Sequence, residues 1–234
     1  MLGFLAGAAA MFAVMYSTQA ILPEIGGHYG VTPARAGLTV SALVLAIIPG
    51  TWLWGPLSDR IGRRRTLILS SALLVPVSLA VAAAPGFGWL VALRALQGLV
   101  MPGLLAVGVP YVSEIFVPRF GARVMGWYMA ALICGGLVGR LGMAMTSALV
   151  GWRPALALVA LMPLAATLLM RRTLPPAATP AARAGEARRG RVERRLVGAV
   201  LAGPALFFAF VGTFTFVRFR LEAPPFDLGA VASS

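Results

Sequence analysis

The sequence predicts an all-α integral membrane protein with about seven transmembrane helices. Of its 234 residues, 59% are hydrophobic and only 12% are charged, and its mean hydropathy is +0.88. Average soluble domains are about 45–50% apolar and about 25% charged, so this composition excludes an ordinary soluble enzyme and a disordered chain. Long apolar stretches recur along the chain, and a helix needs about 20 such residues to cross a hydrocarbon core.

The seven predicted spans are long and uniformly apolar, whereas the strands of a membrane barrel alternate in polarity over about ten residues. The first stretch has no basic residues before it and exceeds the apolar region of a signal peptide, which favours a transmembrane helix. The predicted spans are 2–23, 36–54, 66–84, 89–112, 124–150, 154–170 and 197–217.

Arginine sets the predicted orientation, because the sequence contains 20 basic residues and none of them is Lys. The loops after the second, fourth and sixth spans carry net charges of +3, +1 and +6. The opposite loops together carry only +1. Cytoplasmic loops collect basic residues, so we expect a cytoplasmic N-terminus and, with seven spans, an external C-terminus.

A basic chain often binds nucleic acid. Here most of the arginines lie in loops between spans, so we do not expect nucleic-acid binding. One cysteine, Cys134, excludes an internal disulfide, and one His beside one Cys excludes a His/Cys metal cluster. We therefore predict no metal and no cofactor. The expected partners are the lipid bilayer and a small-molecule substrate.

The predicted domain organisation is a six-helix unit over 1–170, a central loop over 171–196, a seventh helix over 197–217 and an external tail over 218–234. The central loop is rich in Ala, Pro and Arg, which is linker composition. An anionic-lipid site is the functional alternative for this loop; we favour orientation of the chain, since cytoplasmic loops gather Arg for topology alone.

The segment GPLSDRIGRRR, residues 55–65, is the most specific motif in the chain. We interpret it as a tight turn between the second and third spans, in which Gly55 and Gly62 provide unusual dihedral angles. It resembles the signature loop G-x-L-x-D-R-x-G-R-[KR] of the major facilitator superfamily of transporters. The matching positions are Gly55, Leu57, Asp59, Arg60, Gly62, Arg63 and Arg64.

Arg94, Gln97 and Gly98 form a second match, to the superfamily pattern R-x-x-Q-G in the fourth span. An Arg inside a membrane helix costs at least about 2.5 kcal/mol, so it normally faces a cavity or a partner. The resemblance implies that Arg94 influences proton transfer. The alternative is that Arg94 extends to the outer membrane interface.

Arg140 lies near the middle of the fifth span, at the end of the run GGLVGR. This run keeps the glycines of the superfamily's antiporter motif but lacks its proline, and it resembles a bacterial subgroup of sugar-efflux and inner-membrane transport proteins. Arg140 is our main cavity candidate, to attract an anionic substrate or respond to a titrating carboxylate. No Asp or Glu lies deep within a predicted span, which argues against proton antiport.

Three further residues complete the candidate site. The resemblance implies that Glu114, after the fourth span, joins the Arg63 cluster in a gate network; a solvated loop charge is the alternative. Tyr16 and Gln19 are polar groups at membrane depth in the first span. They would line a substrate path or bond to neighbouring helices.

The resemblance implies a fold of twelve helices in two halves, with a substrate cavity between them and alternating access by rocking of the halves. The chain accounts for the first half, the central loop and one helix of the second, so we expect a fragment. The predicted function is efflux of a drug, sugar or organic anion through a bacterial inner membrane, with protons left open as the coupling ion. The alternative is a non-transporting half-transporter or a structural membrane protein that needs a second half in cis or a partner copy.

Overall fold

The computed structural model describes residues 1–115 and 118–175, together with isolated positions 209, 212–213, 216–217 and 221. Every regular element in this part of the chain is helical. The predicted central loop from residue 176 onward, most of the seventh span and the external tail lie outside the described residues. The helices are α1 (Leu2–Ser17), α2 (Leu22–Tyr29), α3 (Pro33–Ala36), α4 (Leu38–Ile61), α5 (Arg63–Ala82), α6 (Phe87–Val100), α7 (Pro102–Ile115), α8 (Pro118–Val150), α9 (Trp152–Val159) and α10 (Leu161–Thr173).

Six helical segments among the described residues are long and apolar enough to cross a membrane. They correspond to the first six predicted spans. Their bounds lie within a few residues of the predicted bounds, except at the ends of the first and second spans. The spans are Leu2–Tyr29, Pro33–Ile61, Arg63–Ala82, Phe87–Ile115, Gly121–Val150 and Trp152–Thr173.

The largest discrepancy is the end of the second span, which continues as helix α4 to Ile61 instead of ending at residue 54. Gly55 and Pro56 therefore lie inside a helix, and the prediction that Gly55 opens a turn is wrong. The chain reverses at Gly62, whose φ of 89° is open to glycine and strained for other residues. The expectation for Gly62 is confirmed.

The other misplaced end belongs to the first span, which was predicted to stop at residue 23. A short 3₁₀ turn, Thr18–Ile21, interrupts it, and helix α2 then continues to Tyr29. Pro23 occupies the first turn of α2, where its missing N–H leaves no hydrogen bond unmade. Gly30, with φ of 61°, ends α2.

The first span is the most buried of the six described spans. In its most apolar 18 residues, 78% are buried, against 33% in the fifth span. Small residues let its neighbour approach closely. A Cβ on Gly135 would collide with backbone atoms of Ala9, and one on Gly139 would collide with those of Ala13. The first and fifth spans therefore cross at two small-residue pairs spaced four apart, the packing that membrane helices use.

The second and fourth spans pack in the same way. A Cβ on Gly98 would collide with the Leu43 carbonyl oxygen, and one on Gly50 would lie 2.8 Å from the Leu99 oxygen. Large apolar side chains such as Trp52 and Ile133 remain more than 70% exposed on the outside of the bundle. That surface suits lipid or another membrane segment.

Candidate functional site

Arg94 lies in the interior of the bundle, beside the interruption of the first span. Its side chain is 1% exposed. Nη1 donates to the Val14 carbonyl oxygen at 3.2 Å, and Nη2 donates to that of Met15 at 2.9 Å. Because α1 ends at Ser17, these carbonyls belong to its last turn, where intrahelical donors run out. The guanidinium donates to both carbonyls, and Ser17 Oγ also donates to the Val14 oxygen at 2.9 Å.

The other donors of Arg94 reach two more spans. Nε donates to the Thr39 carbonyl oxygen at 3.1 Å, and Nη1 donates to Gln97 Oε1 at 2.7 Å. Gln97 Nε2 in turn donates to Ser78 Oγ at 2.9 Å in the third span. Arg94 and Gln97 thus connect the first four spans. The side chain does not extend to the outer interface, because it is enclosed by these acceptors.

Arg140 and Tyr16 lie where the first and fifth spans cross, and Gln19 lies in the 3₁₀ turn that interrupts the first span. Tyr16 is 7% exposed, Gln19 is 1% exposed and Arg140 is 8% exposed. A Cβ on Gly136 would lie 3.0 Å from Tyr16 Cδ2, so the ring fits against the glycine face of α8. Tyr16 and Arg140 are close enough to interact electrostatically. The arrangement places a guanidinium and a phenol within the fifth and first spans, away from the span ends.

The signature segment forms a separate network at the ends of the second, third and fourth spans. Arg63 Nη2 lies 2.9 Å from Asp59 Oδ1, and its Nε lies 3.3 Å from Glu114 Oε1. Arg63 also donates to Ser58 Oγ. The expected reach between Glu114 and Arg63 is present. Asp59 keeps 64% of its side chain exposed, whereas Glu114 keeps 20%.

Arg64 and Arg60 differ in their surroundings although both match the motif. Arg64 turns towards the sixth span, where Nε donates to the Leu174 oxygen at 2.7 Å and Nη2 donates to the Arg171 oxygen at 2.9 Å. Arg60 is exposed on the last turn of α4. The arginines of the motif therefore do not share one set of partners.

Sequence reasoning missed a polar cluster at the opposite ends of the spans. Arg153 donates to the carbonyl oxygens of Ala82 and Ala84 at 3.2 and 2.9 Å, and to Tyr29 Oη at 2.9 Å. Its guanidinium also stacks 4.6 Å from the Trp152 ring. These residues are far apart in the chain, so no local pattern reveals the cluster. Its only signal was an Arg in the short connection between the fifth and sixth predicted spans, two residues after Gly151.

The serines of the third span were also missed. Ser70 donates to the Val100 oxygen at 2.7 Å, and Ser71 donates to the Pro163 oxygen at 3.1 Å. Adjacent serines in an otherwise apolar span are visible in the sequence and could have indicated hydrogen bonds between spans. Within the described ranges, no three His, Cys, Asp or Glu residues lie together as metal ligands.

Comparison with known proteins places this geometry in a family. The family model of the Major Facilitator Superfamily matches residues 3–232. The chain is 34% identical over 166 residues to the inner membrane transport protein YnfM of Escherichia coli, covering 71% of this chain and 40% of YnfM. It is 27% identical over 230 residues to an uncharacterized MFS-type transporter, YybF, of Bacillus subtilis, covering 95% of this chain and 57% of YybF.

A solved structure supports the fold independently. A bacterial homologue of the human lysosomal transporter Spinster superimposes with a TM-score of 0.76 at 16% identity, over 99% of this chain and 55% of that one. The chain spans about half the length of the relatives it matches. The signature segment, the Arg94–Gln97 pair and these matches agree, and the chain belongs to the major facilitator superfamily.

Proposed function

We propose that this chain provides the substrate-binding first half of a secondary-active transporter that exports a small molecule across a bacterial inner membrane by alternating access. The observation that carries the proposal is that Arg140 and Tyr16 lie close enough to interact electrostatically within the fifth and first spans, beside the interruption of the first span. Irregular backbone at membrane depth is tolerated where it is buried in protein or lines a cavity. Membership of a transporter family and the resemblance to efflux proteins support the direction.

The two buried arginines have different tasks in this proposal. Arg94 donates to three backbone carbonyls and to Gln97, so its hydrogen-bonding capacity is directed at the protein itself. It fixes the shape of the first span. Arg140, with Tyr16 and Gln19, contacts the substrate. A guanidinium beside a phenol would bind a carboxylate, a phosphate or a hydroxyl-rich molecule through charge-assisted hydrogen bonds, so organic anions and sugars are the first substrates to test.

Asp59, Arg63 and Glu114 act as cytoplasmic gate contacts. Glu114 and Arg63 join the fourth span to the third, while most of the Asp59 side chain stays exposed for a contact with the second half. Coupling to protons stays open in this proposal. In the described spans, Asp59, Glu114 and Glu24 lie towards helix ends, so a mid-membrane proton carrier would come from the second half.

The proposed topology has the N-terminus in the cytoplasm and the seventh helix running outwards. The charge distribution among the loops supports it. A second support is a contact at the start of the second span, on the predicted external side, where a Cβ on Gly37 would lie 3.1 Å from Phe216 Cζ. Phe216 is at the end of the predicted seventh span. Its contact with Gly37 supports a seventh helix that ends on the external side.

The test is uptake into inverted vesicles of sugars and organic anions by this chain joined to the second half of YnfM. We expect Arg140→Gln to reduce transport at least tenfold and Arg140→Lys to reduce it less. The matched control is Leu141→Ala, the next residue, whose side chain is 39% exposed at the bundle surface. Equal transport by the Arg140→Gln and Leu141→Ala proteins would remove Arg140 from the substrate site.

The alternative is a non-transporting half-transporter, since the described residues supply six membrane-spanning helices and each half of the family's fold has six. The same vesicles separate the two. Transport by this chain alone contradicts the alternative. Transport by the joined protein supports the proposal. No transport by the joined protein, together with self-association of this chain measured by crosslinking, supports the alternative.

A further inference from the structure

The cytoplasmic end of the sixth span is held by side chains from other spans. Helix α10 ends at Thr173, and Leu174 follows in an extended conformation. The last carbonyls of a helix have no donors within it. Arg64 donates to the Leu174 and Arg171 oxygens at 2.7 and 2.9 Å, and Tyr111 Oη donates to the Pro175 oxygen at 3.1 Å. Three carbonyls at this end thus receive external donors.

Packing at the same place is tight. A Cβ on Gly3, at the start of the first span, would collide with Thr173 Oγ1 and would lie 2.9 Å from Met170 Cα. Leu174 is 5% exposed and belongs to the same apolar cluster as Met170 and Tyr111. The first, third and fourth spans therefore all contact the last turn of the sixth.

Electrostatics explains why an arginine stands at position 64. Arg63, Arg64 and Arg65 occupy the first turn of α5, the positive end of a helix dipole, where basic residues are unfavourable. Arg63 is offset by Asp59 and Glu114. Arg64 is offset by the negative end of α10, and its planar guanidinium spans two carbonyls, which the single ammonium of a lysine does less well.

We propose that Arg64, assisted by Tyr111, is a positioning residue that clamps residues 171–175 and so sets where the chain leaves the six-span bundle for its Arg-rich central segment. Arg64 and Arg63 are neighbours on one helical turn. That turn consequently holds the fourth span through Glu114 and the sixth span through the carbonyls of Arg171 and Leu174. The proposed role of Arg64 does not depend on transport, so an experiment can refute it without refuting the proposed function.

Limited trypsin digestion of the full chain in lipid nanodiscs tests the clamp. Arg171 and Arg172 are trypsin sites within the last turn of α10, and cleavage there requires that turn to open. When opening is fast, the cleavage rate follows the population of the open form. We expect Arg64→Gln to speed formation of the fragment that ends at Arg172 by about tenfold, because two charge-assisted hydrogen bonds are lost.

Arg65→Gln is the matched control, since Arg65 is exposed on the same turn and its change alters the loop charge equally. It should leave the rate unchanged. We expect Arg64→Lys to give an intermediate rate and Tyr111→Phe, which keeps the ring and loses the donor, to raise it about threefold. Hydrogen exchange of the Leu174 amide, which donates to the Met170 oxygen at 3.0 Å, should accelerate in parallel.

Equal cleavage rates in the Arg64→Gln and Arg65→Gln proteins, with equal unfolding midpoints, would overturn the proposal. If Arg64→Gln is not recovered in folded form, the Arg64→Lys and Tyr111→Phe proteins decide. Rates equal to that of Arg65→Gln in both of them would show that the end of the sixth span is stable without the clamp. Rates raised in the expected order would support it.

Discussion

Changing Gly139 to Ala should destabilise the bundle, because the added methyl group has no space against the first span. A Cβ at position 139 would collide with the Cα, C and O atoms of Ala13. These are backbone atoms of a packed helix, so no flexible side chain can move aside. The two spans must separate, and the close contact on which their packing depends is lost.

Gly142, one turn further along the same helix, provides the matched control. A Cβ there has nothing within 4 Å. Both substitutions gain the same preference of Ala over Gly for helix, about 1 kcal/mol, so the difference between them isolates the packing cost. Overpacking costs about 1–3 kcal/mol, and we expect the free energy of unfolding of Gly139→Ala to be lower than that of Gly142→Ala by that amount.

The assay is unfolding by SDS in mixed micelles, followed by circular dichroism and by the fluorescence of the tryptophans. A second variant sharpens it: Ala13→Gly should fail to rescue Gly139→Ala, since the obstructing atoms are in the Ala13 backbone. Equal unfolding free energies for the proteins changed at 139 and 142 would refute the reasoning, and so would rescue by Ala13→Gly.

Three further predictions use the same assay. Gly62→Ala should cost about 1–3 kcal/mol because its φ is 89°, whereas Gly55→Ala, inside α4 with open space around it, should be neutral or stabilising. Arg94→Met should cost at least about 3 kcal/mol, since the hydrogen bonds of its guanidinium to three backbone carbonyls and to Gln97 are lost in the bundle interior. Glu114→Gln should cost less than about 1 kcal/mol, and a double-mutant cycle with Arg63→Gln should give a coupling energy of the same small size.

The apolar pattern predicted the existence of the first six spans because hydrocarbon thickness constrains helix length directly. The apolar pattern was less informative about where each span begins and ends. Gly55 and Pro56 read as the start of a turn, yet α4 continues through them to Ile61. Proline is tolerated in membrane helices where neighbours satisfy the freed backbone groups, so its usual value as a boundary signal is weaker here.

Contacts that join distant segments could not be predicted from the sequence. The prediction identified Arg94 and Gln97 through their motif, but their acceptors include the backbone of Val14, Met15 and Thr39. Backbone acceptors carry no signature in a sequence. Charged pairs do carry one, which explains why the reach from Arg63 to Glu114 could be anticipated and the reach from Arg64 to the end of the sixth span could not.

Two interruptions of described spans receive side-chain donors from other spans. The break in the first span receives the Arg94 guanidinium. The break in the fourth, where Pro102 lacks an N–H, receives Trp54 Nε1 on the Leu99 oxygen at 2.8 Å and Ser70 on the Val100 oxygen.

Near the break of the sixth span at Ala160, Ser71 donates to the Pro163 oxygen, which also accepts from Thr167 Oγ1 of the same helix. An unpaired carbonyl in hydrocarbon costs several kcal/mol, so an irregular helix persists only where such donors are provided. These donors come from the second, third and fourth spans. The bends are therefore properties of the assembled bundle, and changing a donor should straighten or unfold a different helix from the one that carries it.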